Sequence, residues 1–139
     1  MNEDIKRSIV EKLASATVAN VREYVDPKTN LKFEIKLSSN LSDIVRLMTI
    51  SDESKAKYSR LYVGGVAMEI DSTVVEMCHR LVHTVCVVEN DKKVYMTMED
   101  WLYLSIHRAD LIFALNSEIS DMLLSSVNSK SPIPLAGQI

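Results

Sequence analysis

Apolar residues recur at helical spacing in the first segment of the chain, residues 2–21. Ile5, Ile9, Leu13 and Ala16 follow one another every three or four positions, and the charged side chains lie outside this stripe. Such spacing is typical of an amphipathic helix. The sequence therefore predicts a helix over residues 2–21 with one apolar face.

A strict alternation of apolar and charged residues follows in segment 31–37. The preceding segment 21–25 is also rich in apolar residues, and the connector between them contains Pro27 flanked by Asp26 and Asn30. Alternation of period two and a connector of turn-forming residues are typical of a β-hairpin. We predict a hairpin over about residues 21–37 with four residues facing the core: Leu31, Phe33, Ile35 and Leu37.

Capping residues mark the starts of further helices. Asn40 precedes an amphipathic segment that ends at Met48, and Asp71 precedes the apolar arc of residues 73–88. Asn and Asp side chains accept hydrogen bonds from the free amides of a first helical turn. We expect helices to begin after both residues.

The segment 55–70 is ambiguous, because its apolar residues fit a helix while Gly64 and Gly65 are typical of a tight turn. We favour a helix, in which glycines would allow close packing. The alternative is a hairpin that turns at the glycine pair.

The longest predicted element runs from Met98 to Val127. Thr97 and Asp100 have the spacing of a capping box, and no residue in this run breaks the helical pattern. Two apolar stripes make this helix apolar over a wider arc than a single core requires. It is therefore either the centre of a bundle or a helix whose second face, which includes Phe113, binds another chain.

The final segment, residues 129–139, contains Pro132 and Pro134. Proline excludes a helix there and favours an extended arm. The arm carries three apolar residues that could anchor it to a partner: Ile133, Leu135 and Ile139. The elements together predict a mainly α fold, a compact helical bundle in a single domain over residues 1–128 with one small β-hairpin near the N-terminus and an extended C-terminal arm.

Composition excludes several kinds of ligand. The chain of 139 residues has three glycines, too few and too widely spaced for a phosphate-binding loop. Its formal charge is −3 and its basic residues are scattered, so we expect no nucleic-acid binding. No apolar stretch reaches the length of about 18 residues that spans a bilayer, and no secretory signal opens the chain. We therefore expect cytoplasmic synthesis and no membrane contact.

One set of residues could bind a metal ion, and the cysteines and Arg108 raise questions of pairing. His79, His83 and Cys86 lie on one edge of the predicted helix at spacings that suit a zinc ion, although side chains at the border of an apolar face explain the same pattern. Cys78 and Cys86 lie about 12 Å apart on that helix and cannot form a disulfide with each other. Arg108 lies within an apolar stripe, where it could pair across an interface or extend to solvent.

The order of elements resembles that of small tail-assembly and baseplate-hub assembly proteins of tailed bacteriophages. The segments that carry the resemblance are the strand Leu31–Leu37 leading into the capped helix Asn40–Met48, the segment Val63–Asp71, and the helix that opens with Met98–Leu104. The resemblance implies a non-enzymatic protein in a bacterial host, acting as an assembly chaperone or as a structural part of the virion. It implies no catalytic residues and no cofactor.

We therefore expect a protein that binds other protein subunits in building or forming a phage tail or baseplate, as a homo- or hetero-oligomer. Arg108, Phe113 and the three apolar residues of the arm are the predicted contacts. Two alternatives are a host-directed regulatory or inhibitory phage protein and a metal-binding protein that uses His79, His83 and Cys86.

Overall fold

The computed structural model describes residues 2–15, 20–38 and 40–128, with side chains described as far as residue 124. In this part of the chain, pairs of consecutive strands are separated by one or two helices. They are α1 (Asn2–Ser15), β1 (Asn20–Val25), β2 (Lys32–Leu37), α2 (Leu41–Met48), α3 (Asp52–Lys57), β3 (Arg60–Val63), β4 (Val66–Glu69), α4 (Ser72–Thr84), β5 (Val85–Glu89), β6 (Lys92–Val94), α5 (Met98–His107) and α6 (Ala109–Asn128).

Four strands form one antiparallel sheet in the order β1-β2-β5-β6. The register places Phe33 between Tyr24 and Val87, and Ile35 opposite Val85. These side chains lie on one face of the sheet, because residues directly opposite each other in a ladder share a face. Helices α4 and α6 contact this sheet, and α5 packs against both helices.

The core lies between this inner face of the sheet and the three helices. Trp101 of α5 and Leu115 of α6 are fully buried, and the rings of Trp101 and Phe33 lie 6.3 Å apart. Three of the four residues predicted to face the core from the hairpin, Phe33, Ile35 and Leu37, are buried. Leu31 is half-buried and packs against the same cluster.

Several predicted local structures are confirmed. The hairpin forms as β1 and β2, with Val25 opposite Lys32 at its turn end. The side chains of Asn40 and Asp71 cap α2 and α4, and Thr97 forms a capping box with Asp100 at the start of α5. The predicted N-terminal helix is shorter than expected, since α1 ends at Ser15 and β1 begins at Asn20.

The predicted fold class, a mainly α bundle with one hairpin, is wrong. The described chain contains three hairpins, β1–β2, β3–β4 and β5–β6, and is a mixed α/β structure. The middle hairpin replaces the helix that we favoured over residues 55–70. Gly64 and Gly65 have φ of 58° and 82°, the left-handed conformation that a two-residue hairpin turn requires and that glycine adopts without strain.

The end predicted for the helix over residues 73–88 is wrong, because its last residues belong to the third hairpin. Helix α4 ends at Thr84, and the next residues form β5. The run from Val85 to Val88 contains three valines, whose branched side chains favour strands. Asn90 and Asp91 then supply positive φ angles of 52° and 62°, so that β6 can turn back along β5.

The long helix predicted from Met98 is interrupted at Arg108. This residue has φ −137° and ψ 58° and lies between α5 and α6. Its amide donates to the carbonyl of Leu104 at 2.6 Å, and its carbonyl accepts from the amide of Leu111 at 3.0 Å. One residue therefore ends the first helix and supplies the first acceptor of the second.

The side chain of Arg108 explains this interruption. Its Nη1 and Nη2 donate to Oδ2 and Oδ1 of Asp26 at 3.0 and 2.7 Å, and its Nε donates to Oδ1 of Asp110 at 3.0 Å. Asp26 lies in the β1–β2 connection and is only 1% exposed. Arg108 therefore pairs within its own chain, with the carboxylates of Asp26 and Asp110.

We predict that Asp26→Ala lowers the free energy of unfolding by about 3 kcal/mol, because it leaves the partly buried guanidinium of Arg108 without its innermost partner. The measurement is urea unfolding followed by circular dichroism. Glu23→Ala is the matched control, since Glu23 is an exposed carboxylate of the neighbouring strand and its surface pair with Lys32 contributes little. Equal effects of the two substitutions would contradict the role of Asp26.

Candidate protein-binding surfaces

The apolar stripe of α1 is uncovered. Ile5, Ile9, Val10 and Leu13 are each more than half exposed, and no residue of α1 is buried. Ile5, Ile9 and Leu13 follow one another at four-residue steps, so they lie on one side of the helix. Helix α1 therefore presents a continuous apolar stripe that the described part of its own chain leaves open.

Helix α2 carries a second, shorter exposed stripe. Leu41, Val45 and Met48 recur at helical spacing and are each about half exposed or more, while Leu47 on the other side of the helix is buried against the core. The sequence contained the signal for this stripe, because the spacing of these three residues places them together beside the core-facing residues.

One side of α6 is buried and the other side is exposed. Ile112, Leu115, Ile119 and Met122 face the core, whereas Phe113 and Leu124 are each at least 60% exposed. Ser117 and Ser120 lie between them on the exposed side. The buried side of α6 covers the predicted hairpin β1–β2, and Phe113 lies on the side that the described part of the chain leaves open.

The other predicted contacts divide into two groups. Arg108 forms ion pairs with Asp26 and Asp110. Ile133, Leu135 and Ile139 lie outside the described residues, together with the whole predicted arm.

The predicted metal ligands do not form a metal centre. Cys86 lies in β5 and not on the helix of His79 and His83. The two imidazole rings are in edge contact, with centroids 4.5 Å apart, and Nε2 of His79 is 3.1 Å from the carbonyl oxygen of Arg46. Within residues 2–15, 20–38 and 40–128, no group of three or more His, Cys, Asp or Glu side chains is arranged to hold a metal ion.

The two cysteines are free and buried. Burial raises the pKa of the Cys78 thiol to about 12, and burial together with the charge of Glu34 raises the pKa of Cys86. Both groups are therefore protonated thiols near neutral pH. A nucleophilic cysteine would need the opposite shift.

The histidine pair lies where α4 meets the end of α2. Partial burial lowers the pKa of His83, and the neighbouring charges of His79 and Arg46 lower it further. The folded structure therefore favours the neutral form of His83. Protonation would place a further positive charge beside Arg46 at the contact between the two helices.

Comparisons with protein-family models, curated proteins and solved structures find no match to this chain. Every helix in the described ranges is too short or too polar to cross a membrane. The features that most clearly indicate a protein-binding site are the two exposed apolar stripes of α1 and α2.

We predict that His83→Gln reduces the loss of stability on acidification. A histidine whose pKa is lowered by folding stabilises the native state fully above its unfolded pKa of about 6.5, and that contribution is lost as the pH falls below this value. Urea midpoints of the wild type should therefore fall between about pH 6.5 and pH 5, and those of the variant should fall less. His107→Gln, outside the α2–α4 contact, should behave as the wild type; if it flattens the profile equally, the assignment to His83 is wrong.

Proposed function

We propose that this chain is a non-enzymatic protein-binding component in the assembly or structure of a phage tail or baseplate. The protein-binding part of the proposal rests on one observation, the uncovered apolar stripe of α1. The tail or baseplate setting rests on the resemblance in the order of elements over roughly residues 31 to 125.

The length of α1 supports a partner. A helix of 14 residues with no buried side chain is marginal in water, and α1 also contains Ile and Val, which are weaker helix formers than Ala or Leu. Most helices of this length owe their stability to burial of an apolar face. The described part of the chain provides no such burial for α1, so we assign it to a second protein.

The energetics favour the same assignment. Burying a half-exposed Ile or Leu side chain stabilises a complex by roughly 1 kcal/mol, at about 25 cal/mol per Å² of apolar surface. Four such side chains along α1 provide enough for a weak or moderate contact, and α2 offers three more. An amphipathic helix with anchors at four-residue steps is the form that binds an apolar groove in a partner.

The test compares two faces of the same helix. Ile9→Gln with Leu13→Gln removes the centre of the apolar stripe, and Arg7→Gln with Glu11→Gln changes the opposite face by the same number of residues. Both double variants should unfold as the wild type does, because none of these side chains is buried. The first variant should lose at least about tenfold in affinity for its partner, and the second should lose little.

The measurement is co-purification of tagged protein with the tail and baseplate proteins of the phage that carries the gene, followed by titration of the partner found. Association that depends on the α1 stripe supports the proposal. Association of both double variants to the same extent would contradict the role of α1. Capture of a host protein from uninfected cells, with no tail or baseplate protein bound, would contradict the setting and favour the host-directed alternative.

A further inference from the structure

A cleft of about 330 Å³ opens where α4 leads into β5, beside α2. Behind its surface lie the buried residues Leu37, Leu47 and Val85, and the partly exposed side chains of Ile44 and Val82 provide its apolar lining. The volume lies at the lower end of the range for small-molecule sites. The cleft is therefore large enough for a short apolar group such as a phenyl ring or a branched alkyl chain.

The charges at the rim of the cleft do not cancel. Lys93 Nζ lies 2.9 Å from Oε1 of Glu34, so this pair is neutral as a whole. Arg46 Nη1 is 3.8 Å from Asp43 Oδ1, and both side chains are at least half exposed, so this pair contributes little and leaves the guanidinium open to another anion. Lys36 pairs with no carboxylate of the described residues, and the rim therefore has a positive excess in a chain of formal charge −3.

We infer that this cleft binds a small carboxylate ligand with a short apolar body, which would lie against Ile44 and Val82 with its carboxylate toward Lys36 and Arg46. The planar guanidinium of arginine matches a carboxylate in geometry and can donate two parallel hydrogen bonds. The thiol of Cys86, which also lines the cleft, is protonated, so it presents no negative charge to the ligand. This inference is independent of the protein-binding role of α1.

The test uses 4-phenylbutyrate as the probe, titrated into the uniformly ¹⁵N-labelled full chain and followed by ¹H–¹⁵N correlation spectra. A ligand of this size bound by apolar contact and one charge is expected to have a dissociation constant on the order of 1 mM. Saturable shifts should be concentrated at the amides of Leu47, Val85 and Cys86. Shifts that do not saturate by about 10 mM, or that lie mainly outside the cleft, would overturn the inference.

Four comparisons isolate the role of charge. The neutral analogue 4-phenylbutanamide should bind roughly tenfold more weakly or worse, and Lys36→Gln and Arg46→Gln should each weaken 4-phenylbutyrate binding several-fold. Lys32→Gln removes a charge from the same face of the same strand but not from the cleft, and it should leave binding unchanged. Equal binding of the acid and the amide would overturn the carboxylate specificity, and with it the proposed ligand class.

Discussion

The contact between the guanidinium of Arg108 and the carboxylate of Asp26 determines how the two halves of this fold meet. A buried carboxylate is strongly unfavourable without a charged partner and hydrogen bonds. Asp26 has both, since it accepts two bonds from Arg108 and one from the hydroxyl of Thr29 at 2.6 Å. Arg108 can supply them because the helix ends there, and the α5–α6 junction is thereby held against the β1–β2 connection. The break also allows α5 to pack on α4 while α6 covers the sheet.

Local signals in the sequence predicted the caps and the first hairpin, because each depends on a few adjacent residues. Asn40, Asp71 and the pair Thr97–Asp100 satisfy amides within their own turns. The alternation around Phe33 shows directly which side chains of β2 face the core. The end of α4 could not be read in the same way. The valines around Cys86 continue the apolar arc of the preceding helix, and the strand is selected by pairing with β6 and with β2, which is distant in sequence.

The interruption at Arg108 was missed for the same physical reason. Every residue from Met98 onward is compatible with a helix, and the interaction that competes with helical continuity comes from Asp26, 82 positions away. The candidate site was predicted only in part. The apolar stripe of α1 was evident from Ile5, Ile9 and Leu13, but its exposure depends on what the rest of the chain leaves uncovered. Phe113 is exposed, but the residues beside it on that side of α6 include Ser117 and Ser120, so the exposed side is less apolar than a partner-binding stripe.

On acidification, the ionisable groups that stabilise this structure lose their contributions at different pH values. His83 has a lowered pKa in the native state, so its contribution disappears as the pH falls below about 6.5. Arg108 holds the pKa of Asp26 well below its usual range and lowers that of Asp110 to about 2. The stability that these two carboxylates provide is complete above about pH 4 and is lost only as the pH falls below that value toward their native pKa values. Between about pH 6 and pH 5, the α2–α4 contact should therefore weaken while the link between Arg108 and Asp26 stays intact. The residues of the α1 stripe do not titrate, so binding through α1 should persist in this range, whereas a ligand in the cleft beside His83 should sense the change.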